Sequence, residues 1–359
     1  MSAPNSINRR QFLRTVGSFA FGVSASASIF YADRNKDGIV NFQDHDQRGG
    51  IGRVVELSRN WLNTYKVIRT AEDLQNIRTD LNAEYVLAND IDLTDFDFHP
   101  IGTADNPFTG TLIGNGYSIN NLTLDRGSED NVGLFRFLDG AKILDLGIKN
   151  VDIVGRTTVG TVAGEVKDAI LYKIATSGTV EARNSDGGGL VGKILKGVIE
   201  DSYSNCDLKG DQSLGGIIGY GYGSDPDHIV ISKCYSTGNI DGFLMSNGGI
   251  VGQASKLIVT DCYSTGTVGG LIPEYIGGIV GENQGNTEVH NSYYTNLVNG
   301  SGLGTPEPLG VDAFKGLDHS HPVYGTVETP IWDFEKVWEA HADSLPTLRR
   351  NPQPTPPQP

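Results

Sequence analysis

A glycine-bracketed apolar tetrad, returning at near-constant intervals, constrains this chain more than any other feature. It is read at Gly133-Leu134-Phe135, Gly160-Thr161-Val162-Ala163-Gly164, Gly189-Leu190-Val191-Gly192, Gly216-Ile217-Ile218-Gly219, Gly249-Ile250-Val251-Gly252 and Gly278-Ile279-Val280-Gly281. The first glycines stand 27, 29, 27, 33 and 29 residues apart. A second landmark keeps step with it: Asp201-Ser202-Tyr203-Ser204, Lys233-Cys234-Tyr235-Ser236, Asp261-Cys262-Tyr263-Ser264 and Asn291-Ser292-Tyr293. Four residues before each tyrosine sits a β-branched residue, Ile199, Ile231, Val259 or Val289. Short apolar strands joined at glycines cannot bury a face alone, but stacked copies can. A unit of about 28 residues suits a coil of three short strands that adds about 4.8 Å of height. The expected fold is therefore all-β, a right-handed parallel β-helix of about seven to eight coils.

Composition narrows the alternatives. Glycine contributes 47 of 359 residues without a strict triplet period, which excludes collagen and calls for many tight corners. Against 43 acidic side chains stand only 28 basic ones, and the net charge of −15 disfavours nucleic acid and anionic lipid as partners. Three cysteines exclude a disulfide scaffold. Past the first thirty residues no apolar run reaches the roughly 20 residues of a membrane span, so no span is expected in the mature chain.

The two ends of the repeat need covers, because a parallel solenoid otherwise presents open edges. Residues 65–84 read as an amino-terminal cap, in which Thr70 precedes a short helical pattern with Leu74, Ile77 and Leu81 on one face. The coils are expected over 85–300. Residues 301–350 read as a last coil and cap, closed by the bulk of Trp332, Phe334 and Trp338. Five prolines in residues 351–359 make an extended tail.

Ahead of the coils lie two further segments. Residues 1–27 carry Arg9-Arg10-Gln11-Phe12-Leu13, an uncharged apolar stretch and Ala25-Ser26-Ala27, the pattern of a twin-arginine export signal with its cleavage site. This places the mature chain in the periplasm, at the cell surface or outside the cell. In residues 28–64, Asp33, Asn35, Asp37, Asn41 and Asp44 fall at positions 1, 3, 5, 9 and 12 of a calcium loop. Gly38 supplies the sharp turn at position 6 and Ile39 a carbonyl at position 7, so one short loop could wrap a structural Ca2+ in oxygens. Val54, Leu57, Trp61 and Leu62 downstream fit one face of a helix, giving a small helical calcium-binding segment.

Two resemblances follow. The tetrads, with Cys234-Tyr235-Ser236-Thr237-Gly238 and Cys262-Tyr263-Ser264-Thr265-Gly266, resemble the GLUG motif of bacterial surface proteins, which also occurs beside IgA-type metallopeptidases. That resemblance implies a parallel β-solenoid over roughly residues 65–348. It implies no peptidase activity, since no His-Glu-x-x-His motif occurs in the chain. The calcium loop resembles a dockerin segment. A full dockerin has two such loops and only one is complete here, which argues against cohesin binding.

Candidate binding residues come from strand alternation. It places Cys262 and Ser264 on one side and Tyr263 on the other, so Tyr203, Tyr235, Tyr263 and Tyr293 form a ladder of rings. Facing outward, the ladder offers a platform for sugar rings; otherwise it is structural stacking. Cys234 and Cys262, flanked by Ser202 and Ser292, read as interior thiols serving as small hydrophobes. Tyr220 and Tyr222 precede an insertion, Asp225-Pro226-Asp227-His228, that lengthens one unit, and an enlarged loop on a regular solenoid is a natural site of function. No catalytic constellation is evident. The reading is an exported adhesion module directed at polysaccharide or cell-surface glycan. A β-helical polysaccharide lyase or glycoside hydrolase and a structural envelope spacer are the alternatives.

Overall fold

The computed structural model describes residues 65–224 and 229–295, with the short strands Phe30–Arg34, Val40–Asp44, Trp338–Glu339 and Thr347–Leu348. The chain divides into two compact units, residues 1–65 and 66–359. In the second, strands pair in parallel with the strand one coil further on, making a parallel β-solenoid of about seven turns with one short helix. Ala163, Val191, Ile218, Val251 and Val280, one from each of five successive tetrads, stand in a single column. Leu112, Ile143, Leu171, Ile199, Ile231, Val259 and Val289 form another, which carries the β-branched landmark through the interior. Such aliphatic columns make one continuous core.

The two bracketing glycines answer to different neighbours. A Cβ at Gly216 would run into the Gly249 carbonyl oxygen and the Ser236 hydroxyl, and Gly189 and Gly249 meet Ser204 and Ser264 in the same way. The serine of each Tyr-Ser pair is therefore seated on the first glycine of a tetrad. A Cβ at Gly219 would instead strike the backbone of Asp186 and Gly187, and one at Gly252 the backbone of Ser213. Close approach of two chain segments, rather than a turn, fixes these positions.

At the amino-terminal end, Thr70 caps the helix Ala71–Gln75 with a reciprocal capping box. The Asp73 N–H donates to Thr70 Oγ1 and the Thr70 N–H to Asp73 Oδ2, each at 3.1 Å. Leu74, Ile77 and Leu81 are buried beneath it, within the core.

The corner before each tyrosine is the least ordinary part of the coil. Asp145, Lys173, Asp201, Lys233, Asp261 and Asn291 occupy equivalent places, and all have φ between 45° and 55°. A left-handed residue other than glycine costs about 1–2 kcal/mol, and lysine has no local hydrogen bond to offset it. What the column supplies is alternating charge. Lys233 Nζ donates to Glu200 Oε1 at 2.6 Å, and Asn291 Nδ2 to Asp261 Oδ1 at 3.2 Å. Burial alone would depress the Lys233 ammonium, but Glu200, Asp201 and Asp261 more than reverse it and the net shift is upward. Burial lifts Asp201 to about 6, with Lys233 and Lys173 pulling the other way.

Just after this corner runs the column Ser202, Cys234, Cys262, Ser292. Each Oγ or Sγ donates to the carbonyl two residues earlier: 2.8 Å to Glu200, 3.2 Å to Ser232, 3.2 Å to Thr260 and 2.8 Å to His290. Ser202, Cys262 and Ser292 also accept a backbone N–H from the coil before, from Ile174, Cys234 and Cys262 respectively. The thiols are free and interior, as the alternation predicts, yet they do more than fill space. They carry the coil-to-coil hydrogen bond across the corner, which explains why serine and cysteine interchange there.

Two stability predictions result. Gly216→Ala should lower the urea midpoint by an amount equivalent to about 2–3 kcal/mol, as an overpacked site does. Ser236→Ala should leave it unchanged, since Ser236 Oγ has no hydrogen-bond partner among the described residues. The second prediction concerns pH. Because the folded pKa of Asp201 lies above its unfolded value of 3.8, its contribution to stability is fully present below about pH 4, falls as the pH rises towards 6 and is absent above. Asp201→Asn should flatten that decline by about 3 kcal/mol, read as midpoints of the two proteins between pH 4 and 8.

Candidate functional site

The tyrosine ladder exists, but it is not a surface. Tyr203, Tyr235, Tyr263 and Tyr293 are in register. The first three rings stack at 4.7 and 4.8 Å with planes 4° and 1° apart. The rings stay outside the interior core, as the alternation predicts, yet all four are buried. Trp338 stands against Tyr235 and Tyr263, with ring centroids 6.1 and 5.6 Å away. This corrects two expectations at once. The ladder is no open platform for sugar rings, and Trp338 packs on the flank of the coils rather than on the last coil. The short antiparallel pair Trp338–Glu339 and Thr347–Leu348 holds it there, with Leu348 also buried. Trp332 and Phe334 lie outside the described residues, as do the export pattern of residues 1–27 and the tail.

The flank that does face solvent begins at the residue after each closing glycine of the tetrad. Glu165, Lys193, Tyr220, Gln253 and Glu282 stand in register along five coils. Two positions on, Tyr222 projects from the same face and is 49% exposed. The Tyr220 and Tyr222 rings are 6.3 Å apart at 28°, presenting two faces of similar orientation. Polar groups surround them in fixed positions. Gln253 Nε2 and Ser246 Oγ both donate to Glu282 Oε2, at 2.8 and 2.6 Å, and Lys193 Nζ lies 3.8 Å from Glu165 Oε2.

Asp186 completes this strip. It sits at a second left-handed corner, φ 62°, equivalent to Thr158 and Ser213 in the neighbouring coils. Burial lifts its carboxyl to about 6, although Lys193 and a hydrogen bond with Ser213 oppose the shift. Burial also raises the Tyr220 phenol, and the negative charges of Asp186 and Glu282 add to it. A carboxyl that titrates near neutrality beside an ammonium, a phenol and a second carboxylate can donate or accept a proton as well as a hydrogen bond.

Of the residues expected to bind, Tyr220 and Tyr222 come together on this flank. Asp225 and Asp227 lie outside the described residues; the chain leaves the sheet at Gly223, whose N–H donates to Ser255 O, and rejoins it at Ile229. Glu165, Asp186, Lys193, Gln253 and Glu282 were not anticipated. The signal was present in four of them, since each follows the closing glycine of a tetrad.

In the first unit, Phe30–Arg34 and Val40–Asp44 pair antiparallel, so the described part of the segment expected to be helical is a β-hairpin. Asp33 pairs with Asn41, bringing positions 1 and 9 of the calcium loop opposite each other, whereas Asp44 pairs with Phe30 three steps away. Asn35, Asp37 and Ile39, the side chains of all the predicted ligands and the apolar stripe from Val54 to Leu62 lie outside the described residues.

Comparison with known proteins places these features in context. Residues 59–178 match the family model of the M26 IgA1-specific metallo-endopeptidase N-terminal region. Over 151 residues the chain is 36% identical to halomucin of Haloquadratum walsbyi (strain DSM 16790 / HBSQ001), an alignment that takes in 38% of this chain and 2% of halomucin. A solved IgA1 protease structure is 17% identical with a TM-score of 0.47, covering 68% of this chain and 21% of that one. A crystal structure of a candidate immunoglobulin A1 protease from Bacteroides ovatus superposes with a TM-score of 0.61 at 18% identity, covering 79% of this chain and 92% of that one, and so shares its fold.

Proposed function

We propose that the chain is a binding module of an exported surface protein and that its target is a polysaccharide or surface glycan held on the Tyr220–Tyr222 flank. The observation that carries this reading is the exposed Tyr222 ring beside Tyr220, with Gln253 and the oriented carboxylate of Glu282 next to them. Sugar rings lay their C–H faces on aromatic rings, and their hydroxyls accept hydrogen bonds from amide N–H groups and donate them to carboxylates at the rim. A net charge of −15 favours a neutral glycan over an acidic one. Export is supported by the twin-arginine pattern of residues 1–27. It is supported too by the similarity of residues 59–178 to the N-terminal region of an endopeptidase specific for IgA1.

A second reading, a glycan-cleaving enzyme, is favoured by Asp186 alone, because a carboxyl lifted to about 6 suits general acid or base work. Both readings meet in one experiment. In affinity electrophoresis through a panel of polysaccharides, the wild-type chain should be retarded by at least one, and Tyr222→Ala should weaken that retardation about tenfold. Tyr235→Phe, inside the covered ladder, should leave it unchanged. Equal migration of wild type and Tyr222→Ala in every gel would remove the glycan reading. New reducing ends or unsaturated products that disappear in Asp186→Asn would turn binding into turnover.

The calcium hairpin is part of the same proposal, as a fastener for residues 28–64. A bound ion there would supply positive charge to a loop otherwise dense in carboxylates. Chelation should speed proteolysis between residues 33 and 62 and leave the coils intact; an unchanged cleavage rate would count against the ion.

A further inference from the structure

A recess of about 470 Å³ opens among Glu181, Arg183, Lys209, Asp241, Phe243 and Leu271. Its origin is a corner that grows. Between the strand that follows the tyrosine and the strand that enters the tetrad, the connection lengthens in successive coils. It runs from Asp211–Ser213 to Phe243–Ser246 and then to Gly270–Tyr275. The two longer connections push Phe243 and Leu271 outward, leaving them 60% and 64% exposed, the most exposed large apolar side chains among the described residues. Water-exposed Phe and Leu in equivalent places of adjoining coils are costly to leave uncovered.

Only part of the charge in the recess is paired. Glu181, Lys209 and Asp241 stand in register along the coils, so Lys209 has an acid one coil to either side. Elsewhere on the same lattice such stacking closes into ion pairs, as between Glu165 and Lys193 at 3.8 Å. Here Arg183 pairs with Glu181 at 3.2 Å, but among the described residues Lys209, Asp211 and Asp241 form no ion pair. One cation and two anions thus face the recess beside the apolar pair.

We infer that this recess docks an extended polypeptide segment, with a large apolar residue on Phe243 and Leu271, a basic residue towards Asp211 and Asp241, and an acidic residue towards Lys209. Charge complementarity selects this occupant. A polypeptide carries apolar, basic and acidic side chains and can answer all three features at once, whereas a neutral glycan brings no charge to pair with Lys209 or Asp241. Three coil steps separate Glu181 from Leu271, about 14 Å, the length of four or five extended residues. The inference does not rest on the glycan reading, which concerns Tyr220 and Tyr222.

The test uses the full chain to pan a displayed library of random peptides about ten residues long, enough to span the recess with flanks. Enriched peptides should share a large apolar residue with a basic neighbour. Phe243→Ser with Leu271→Ser should weaken them about tenfold or more, with circular dichroism and urea midpoint unchanged because both side chains are exposed. Asp241→Lys should exchange the basic neighbour for an acidic one, and Tyr222→Ala should have no effect. No enrichment, or enriched peptides that bind the double variant equally well, would overturn the inference. So would a double variant that loses retention on polysaccharide instead, which would make the recess a glycan site. Loss of the glycan reading itself would appear only in the Tyr222→Ala electrophoresis.

Discussion

Parallel hydrogen bonding between residues one coil apart sets a single distance, the 4.7–4.8 Å at which the tyrosine rings stack, and almost everything else inherits it. Because like positions coincide, one residue choice is made again in every layer. Aliphatic residues become columns, serines become seats for glycines, and a side chain that protrudes does so beside its counterparts. The flank of Tyr220 and the recess of Phe243 are departures from that repetition, and their position on the lattice is what makes them sites.

Register along such a rod needs protection, since one coil offers the next a surface much like every other. The left-handed corner column provides it. Asp145, Lys173, Asp201, Lys233 and Asp261 set opposite charges in adjacent layers and like charges in alternate ones, so a layer that docks one place too far meets repulsion. The conformational strain of lysine in that region is offset by acids to either side, among them Glu200, which holds Lys233 directly. The raised carboxyl pKa of Asp201 reflects the cost of burying a charge in this column.

The sequence was most legible where one strand period or one repeat decided the outcome. Spacing of the tetrads established the solenoid; alternation assigned Cys234 and Cys262 to the interior and the tyrosines to the opposite side; Thr70 and Leu74 marked the cap. Alternation tells which way a side chain points, however, not what lies over it. Tyr235 and Tyr263 are covered by Trp338, a contact between residues about 75 and 103 positions apart that no local pattern encodes. The binding flank was half legible, through Tyr220 and Tyr222. Asp186 became prominent only through its burial and its nearness to Lys193 and Ser213, which no local pattern encodes.

The alternating corner has one more consequence, for how such a chain can change length. Excising the layer that carries Lys173 would set Asp145 directly against Asp201, and excising the layer of Asp201 would set two ammonium groups face to face. Removing two consecutive layers restores the sequence of signs. Within these five layers a change of two repeats therefore keeps the alternation that a change of one would break.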